Sequence, residues 1–197
     1  MLSIPYTNTK KGYTDLFSNL LEKEDVVTLS GIIDERQAEL LVSSFLYLDS
    51  KPTDAPVHFY IISSGGGECV SGFAIHDTMR QMRRPVYTYC LGQCCSMASI
   101  LFAAGDKRFM LPHARIMLHQ ASTGFQGRAE DLRIQAEVMD RTNKELMVLL
   151  AKYTQKSVEE IEKDVLRGDY YLFGEEAIDY NIADVLMEEP QNRKEKK

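Results

Sequence analysis

Two β-rich runs joined by a glycine stretch and a helix constrain this chain more than any other feature. Val57-His58-Phe59-Tyr60-Ile61-Ile62 starts after Pro56 and stops at Ser63-Ser64-Gly65-Gly66-Gly67. A helical pattern then covers 69–83, and Pro85 opens the next run, 85–91 (PVYTYCL). A tight turn would return the second strand antiparallel, whereas a helix-length crossover brings it back parallel. The alternation continues on both sides. A helix is predicted over 13–23, a strand over 25–30 and an amphipathic helix over 34–48. Asp34 is the N-cap of that last helix, and Ala38, Leu41, Phe45 and Leu48 share one face. Downstream come a buried helix from Cys95, strands at 107–111 and 115–119, and a long helix over 128–152 carrying Leu132, Met139, Leu146 and Leu149. A helix over 157–166 and a helix-then-strand pattern over 175–187 complete the series. Repeated strand–helix units predict an α/β fold with a largely parallel sheet.

At 197 residues and 44% hydrophobic side chains, the chain suits one domain spanning 1–197. The net charge of -6 supplies no basic stripe for phosphates, which argues against nucleic acid as a partner. No apolar run approaches the roughly 20 residues of a membrane span, and the first residues lack the apolar centre of a secretory signal. Residues 1–12 are expected to be a flexible segment and 188–197 a disordered tail. Cysteines 69, 90, 94 and 95 are poorly spaced for disulfides, which fits a reducing, cytoplasmic setting. Cys90, Cys94 and Cys95 read better as small buried apolar residues than as metal ligands, so no metal or cofactor is expected.

The chemistry centres on Ser96, in Gly92-Gln93-Cys94-Cys95-Ser96-Met97-Ala98-Ser99, at a strand-to-helix junction where free N–H groups favour negative charge. A glycine N–H from 65–67 beside the Met97 N–H would make an oxyanion hole. The same glycine run lacks the Lys-Ser/Thr ending of a phosphate loop. His119 ends a strand and is followed by a glycine-containing loop, whereas His58, His76 and His113 sit in a strand, a helix face and a turn. Asp164, Asp169, Asp179 and Asp184 compete to orient an imidazole, and loop position favours Asp169. The order Ser, His, Asp and the absence of Gly-x-Ser-x-Gly exclude the α/β-hydrolase pattern. Residues 120–127 (QASTGFQG) read as a surface loop or as an extended segment open to strand addition by a peptide. Tyr60, Tyr87 and Tyr89 read first as core packing and second as apolar docking residues on an outer face.

Ser64-Gly65-Gly66-Gly67, Gly92 to Met97, Leu111-Pro112-His113-Ala114-Arg115-Ile116-Met117-Leu118-His119-Gln120 and Asp169 to Ala177 together resemble the proteolytic subunit of the ATP-dependent Clp protease (ClpP, peptidase family S14). The resemblance runs from about Ile4 to Met187. It implies a crotonase-like fold of repeated β-β-α units, with a protruding strand-helix handle over 120–152. It also implies a serine endopeptidase that cleaves unfolded polypeptides inside a ring-shaped chamber through an acyl-enzyme. Carried over, Ser96 is the nucleophile, His119 the general base and Asp169 the orienting acid. Gly67 and Met97 supply the oxyanion N–H groups, and Gly66, Gly124 and Phe125 contact substrate. Heptameric rings stacked as a tetradecamer are implied, from one chain or with a paralogue, served by an AAA+ Clp ATPase unfoldase. The alternatives are a non-catalytic ring subunit of a mixed assembly and an acyl-CoA enzyme of the same fold.

Several positions depart from the family pattern. Gly65 stands in place of a proline, and Ala121 replaces the proline after His-Gln. The segment before Phe109 is two residues short, and Gly168 is an extra residue ahead of Asp169. Leu166 stands where an acidic residue pairs with arginine across the rings, leaving Arg167. Cys94-Cys95 replaces two small residues, which would make the site oxidisable if those thiols are accessible.

Overall fold

The computed structural model describes residues 4–9, 12–124 and 126–188. Strands β1 (Tyr6–Thr9) and β2 (Gly12–Asp15) pair antiparallel, where a flexible segment was expected. Helix α1 (Leu16–Glu24) follows, later than the 13–23 expected because residues 13–15 belong to the hairpin. The Asp15 carboxylate accepts the Ser18 N–H at 3.0 Å and caps α1.

Strand β3 (Val26–Ile33) leads into α2 (Glu35–Asp49), where Asp34 Oδ1 accepts the Gln37 N–H at 2.8 Å as predicted. Strand β4 (Val57–Gly67) runs through the whole glycine stretch and is longer than its apolar part. Then come α3 (Cys69–Gln81), β5 (Val86–Cys90), β6 (Gln93–Cys95), α4 (Met97–Ala103), β7 (Lys107–Met110) and β8 (Arg115–Leu118). The long α5 (Ala129–Thr154) and α6 (Val158–Val165) precede β9 (Tyr170–Phe173). The sequence reading missed both β6 and β9, and α4 begins at Met97 rather than at Cys95 because Cys95 pairs with Met117 in the sheet. Helix α7 (Glu175–Asp179) and β10 (Val185–Leu186) complete the described elements.

The strands line up as β10-β7-β5-β4-β6-β8-β9, with β3 also paired to β4. Every pairing in this order is parallel except β8 with β9. Helices α2, α3 and α4 make the parallel connections, so their apolar faces cover the sheet. Leu29, Ile33, Phe45, Phe59, Ile61, Leu101 and Phe102 are all fully buried there. Each such side chain stabilises the fold by about 1.5–3 kcal/mol. Strand β4 is the hinge of the design. It pairs with β5 through Ile61↔Cys90 and then crosses to β6 at Ser64↔Cys94.

The buried residues of α5 are Leu146, Met147, Leu150 and Thr154, all in its C-terminal half. Leu132 and Met139 are only half-buried, so the first turns of α5 stand off the body. The described residues of 120–127 form no strand, although the handle was expected to begin with one. A strand needs a pairing partner, and no strand among the described residues pairs with this stretch. The tail from 189 onward lies outside the described residues. Tyr60, Tyr89 and Phe109 do not enter the main core. They stack as a ladder on the opposite sheet face, with centroids 4.3 and 4.8 Å apart.

Candidate active site

The end of β6 places Ser96. Cys95 pairs with Met117 of β8, and the Ser96 N–H continues that ladder by donating to Met117 O at 2.8 Å. The chain then turns sharply, with Ser96 at φ 54° and ψ -129°. Glycine usually occupies that region, and a serine held there stores about 1–3 kcal/mol of strain. The surroundings over-determine it. The Ser96 carbonyl accepts both the Ser99 N–H at 2.9 Å and the Ser99 Oγ–H at 2.6 Å. Every residue of α4 behind it is buried. The Ser96 side chain makes no capping bond to α4 and stays free to point outward.

His119 follows β8 directly, and its Nε2 lies 2.7 Å from Ser96 Oγ. The other three histidines are elsewhere. His58 bonds the Tyr89 hydroxyl, His76 sits between Asp77 and Tyr153, and His113 is exposed in a turn.

Strand β9 positions the acid. Its antiparallel register pairs Leu118 with Tyr170, so one step further brings Asp169 opposite His119. Asp169 Oδ1 is 3.6 Å from His119 Nδ1, and the Tyr171 hydroxyl is 3.5 Å from Asp169 Oδ2. The first distance is an ion-pair approach rather than a formed hydrogen bond. Asp169 is also more exposed than its partner, at 52% against 27%. Asp164 is excluded as the orienting group, because its Oδ2 accepts the Tyr180 hydroxyl at 2.8 Å. Asp184 is held in a bidentate pair by Arg108, which pulls its carboxyl below the usual range despite burial. Gly168 adopts φ +119° with no atom near its missing side chain, in a bend just ahead of β9.

The end of β4 presses on the serine. A Cβ added to Gly66 would lie 2.5 Å from Ser96 Cβ and 2.9 Å from the Met97 nitrogen. At Gly67 the pairing to β3 is carried by the next amide, with Glu68 N–H donating to Ile33 O at 2.9 Å. Gly67 itself is exposed. A narrow apolar slot of about 20 Å³ opens between Ser96 and His119, walled by Cys69, Met97, Ile100, Leu118, Ala121, Leu146, Met147 and Leu150. Gly124 is exposed with no atom near its missing side chain, and Phe125 lies outside the described residues.

The condition set for oxidation at Cys94 and Cys95, that the thiols be accessible, is not met. Cys94 and Cys95 are buried, and burial pushes both thiols upward, with Arg115 only partly opposing this at Cys95. They are therefore poor sites of oxidation; burial raises the Cys69 thiol too, but Cys69 alone of the four is part-exposed and within reach. Among the described residues no group of three or more His, Cys, Asp or Glu side chains is arranged to hold a metal ion.

Sequence reading missed Ser64, Ser99, Asn143 and Tyr171. Asn143 holds the start of the 120–127 stretch against α5, its Oδ1 accepting the Ala121 N–H at 2.7 Å. Ser64 and Asn143 bond main-chain groups distant in the chain, and Ser99 bonds the Ser96 carbonyl only because of the turn there, so none of the three leaves a local pattern. Tyr171 alone had a signal, as an alternating aromatic in the unread strand YYLF. The family model described as Clp protease matches residues 8–190.

Proposed function

Because the chain belongs to the Clp protease family, we propose that it is a catalytic proteolytic subunit, a serine endopeptidase acting on unfolded polypeptide. The observation that carries this reading is the 2.7 Å contact between Ser96 Oγ and His119 Nε2, with Asp169 beyond Nδ1. Neutral His119 accepts the Ser96 proton at Nε2 as Oγ attacks the peptide carbonyl carbon. Asp169 selects the tautomer with hydrogen on Nδ1 and favours the imidazolium that forms. The carbonyl oxygen becomes an oxyanion, for which Met97 N–H and Gly67 N–H are the donors. Support for Gly67 comes from its exposure and from the neighbouring amide's use in the β3 pairing. His119 then returns the proton to the leaving amine, and the C–N bond breaks to leave an ester on Ser96. Water repeats the sequence and frees the enzyme.

The apolar slot suits a small apolar side chain on the acyl side of the cleaved bond. Asn143 occupies the main-chain groups of Ala121, and those of 122–124, unpaired in any sheet, suit an extended substrate strand. Assembly into stacked heptameric rings, loading by an AAA+ ATPase and a cytoplasmic location belong to the same proposal. The Tyr60–Tyr89–Phe109 ladder is the surface favoured for that ATPase. No helix among the described residues is long and apolar enough to cross a membrane.

The 3.6 Å gap at Asp169 favours one second reading, a non-catalytic ring subunit. Turnover of a short fluorogenic peptide, lost in Ser96→Ala while native mass is unchanged, supports the peptidase. A wild-type assembly that turns over no peptide supports the second reading.

A further inference from the structure

We propose that Ser64 is the positioning residue that holds the oxyanion strand against the nucleophile. The proposal rests on the peptidase reading above. Strands β3 and β4 lose register where the active site begins. Ser30 pairs with Ser63, and the next pair is Ile32 with Gly66, so Gly31 on one strand faces Ser64 and Gly65 on the other. At this bulge the main-chain ladder lapses, and Gly31 takes φ +82°.

The Ser64 hydroxyl replaces the missing rungs. It is fully buried, donates to Gly31 O at 2.7 Å and accepts the Gly66 N–H at 3.2 Å. One oxygen therefore ties both strands of the bulge. The tie matters because three consecutive glycines follow, with no atom near the missing side chain of Gly65 to restrain the backbone. Gly66, the residue bonded to the hydroxyl, is the one packed on Ser96 Cβ and the Met97 nitrogen. Gly67, the proposed donor, is the next residue. The bond also occupies the Gly66 amide, which therefore does not compete with Gly67 as donor. Ser64 touches neither substrate nor reacting atoms and acts through the two glycines.

The test compares wild type, Ser64→Ala and Ser64→Cys in the full assembled protein. Kinetics on a fluorogenic peptide are paired with the Ki of a peptide boronate, whose tetrahedral adduct occupies the oxyanion hole. Ser64→Ala is expected to lower kcat by about tenfold or more with KM nearly unchanged, and to weaken the boronate by a similar factor. A merely structural role would lower the active fraction without weakening the boronate. Cysteine keeps the shape but bonds weakly, so Ser64→Cys is expected to fall between the two. If Ser64→Ala does not fold, Ser64→Cys decides alone. Wild-type kcat and boronate affinity in a folded variant overturn the proposal, provided wild type is active and Ser96→Ala is dead. An inactive wild type, or an active Ser96→Ala, overturns the peptidase reading and this proposal with it.

Discussion

The two junctions that meet at His119 are built in opposite ways. On the serine side, Ser96 is fixed by main-chain bonds to β8, by Ser99 and by a buried helix. On the acid side, Asp169 follows a left-handed glycine and stands 52% exposed, with only His119 and the Tyr171 hydroxyl near its carboxylate. Leu166, three residues before it, is 74% exposed and packs on little. The nucleophile's geometry thus comes from the ladder that makes the fold, while the acid's geometry depends on a register and two loose side-chain contacts. A strained conformation survives where the surroundings over-determine it, and strain at Ser96 is affordable for that reason.

The largest expected effect lies on the serine side. Ser96→Ala and His119→Ala should each lower peptide cleavage by about 10⁴-fold or more while leaving oligomer size unchanged. Cleavage retained by His119→Ala would mean that a different group is the base.

Next comes the acid. Asp169→Asn should lower kcat by about 10²-fold, less than a tightly bonded triad acid would, because its contact with His119 is long and wet. Asp164→Asn should stay within a few-fold of wild type, since its carboxylate is engaged by Tyr180. The reverse ranking in a kcat comparison would break the contrast between the two junctions.

Two glycines sharpen it further. Gly66→Ala sets a methyl 2.5 Å from Ser96 Cβ and should abolish activity or folding. Gly168→Ala meets open space and bears only the strain of φ +119°, about 1 kcal/mol or somewhat more. Thermal unfolding and peptide turnover of both variants separate these outcomes; equal losses would show that the acid loop is as tightly specified as the nucleophile turn.

The smallest effect is chemical. A thiol reagent on the native protein should modify Cys69 alone, with Cys94 and Cys95 reacting only after unfolding. Peptide mapping of native labelling at Cys95 would mean that the turn beside Ser96 opens readily.

The same contrast explains what was legible beforehand. His119 ends a strand whose apolar run stands out, whereas the strand before Ser96 is only Gln93–Cys95, in a stretch read as loop and the start of a helix, so Ser96 was legible through the family motifs rather than through its strand. Asp169 was chosen for its loop position, but its true determinant is the Leu118↔Tyr170 register on a strand that went unread. YYLF is short and its outward residues are aromatic, so it showed no polar alternation. The N-terminal hairpin was hidden because its residues show no alternating apolar pattern in the sequence. The role of Ser64 left no signal, since its partner Gly31 is distant in the chain and a hydroxyl's direction leaves no trace in composition.

The central claim is that Ser96 is a nucleophile activated by His119. Intact-mass and peptide mapping after treatment of the assembled protein with a fluorophosphonate test it most directly. The expected result is one adduct per chain, on Ser96, absent from both Ser96→Ala and His119→Ala. Labelling on another serine, or labelling of Ser96 that persists at the same rate in His119→Ala, would contradict it.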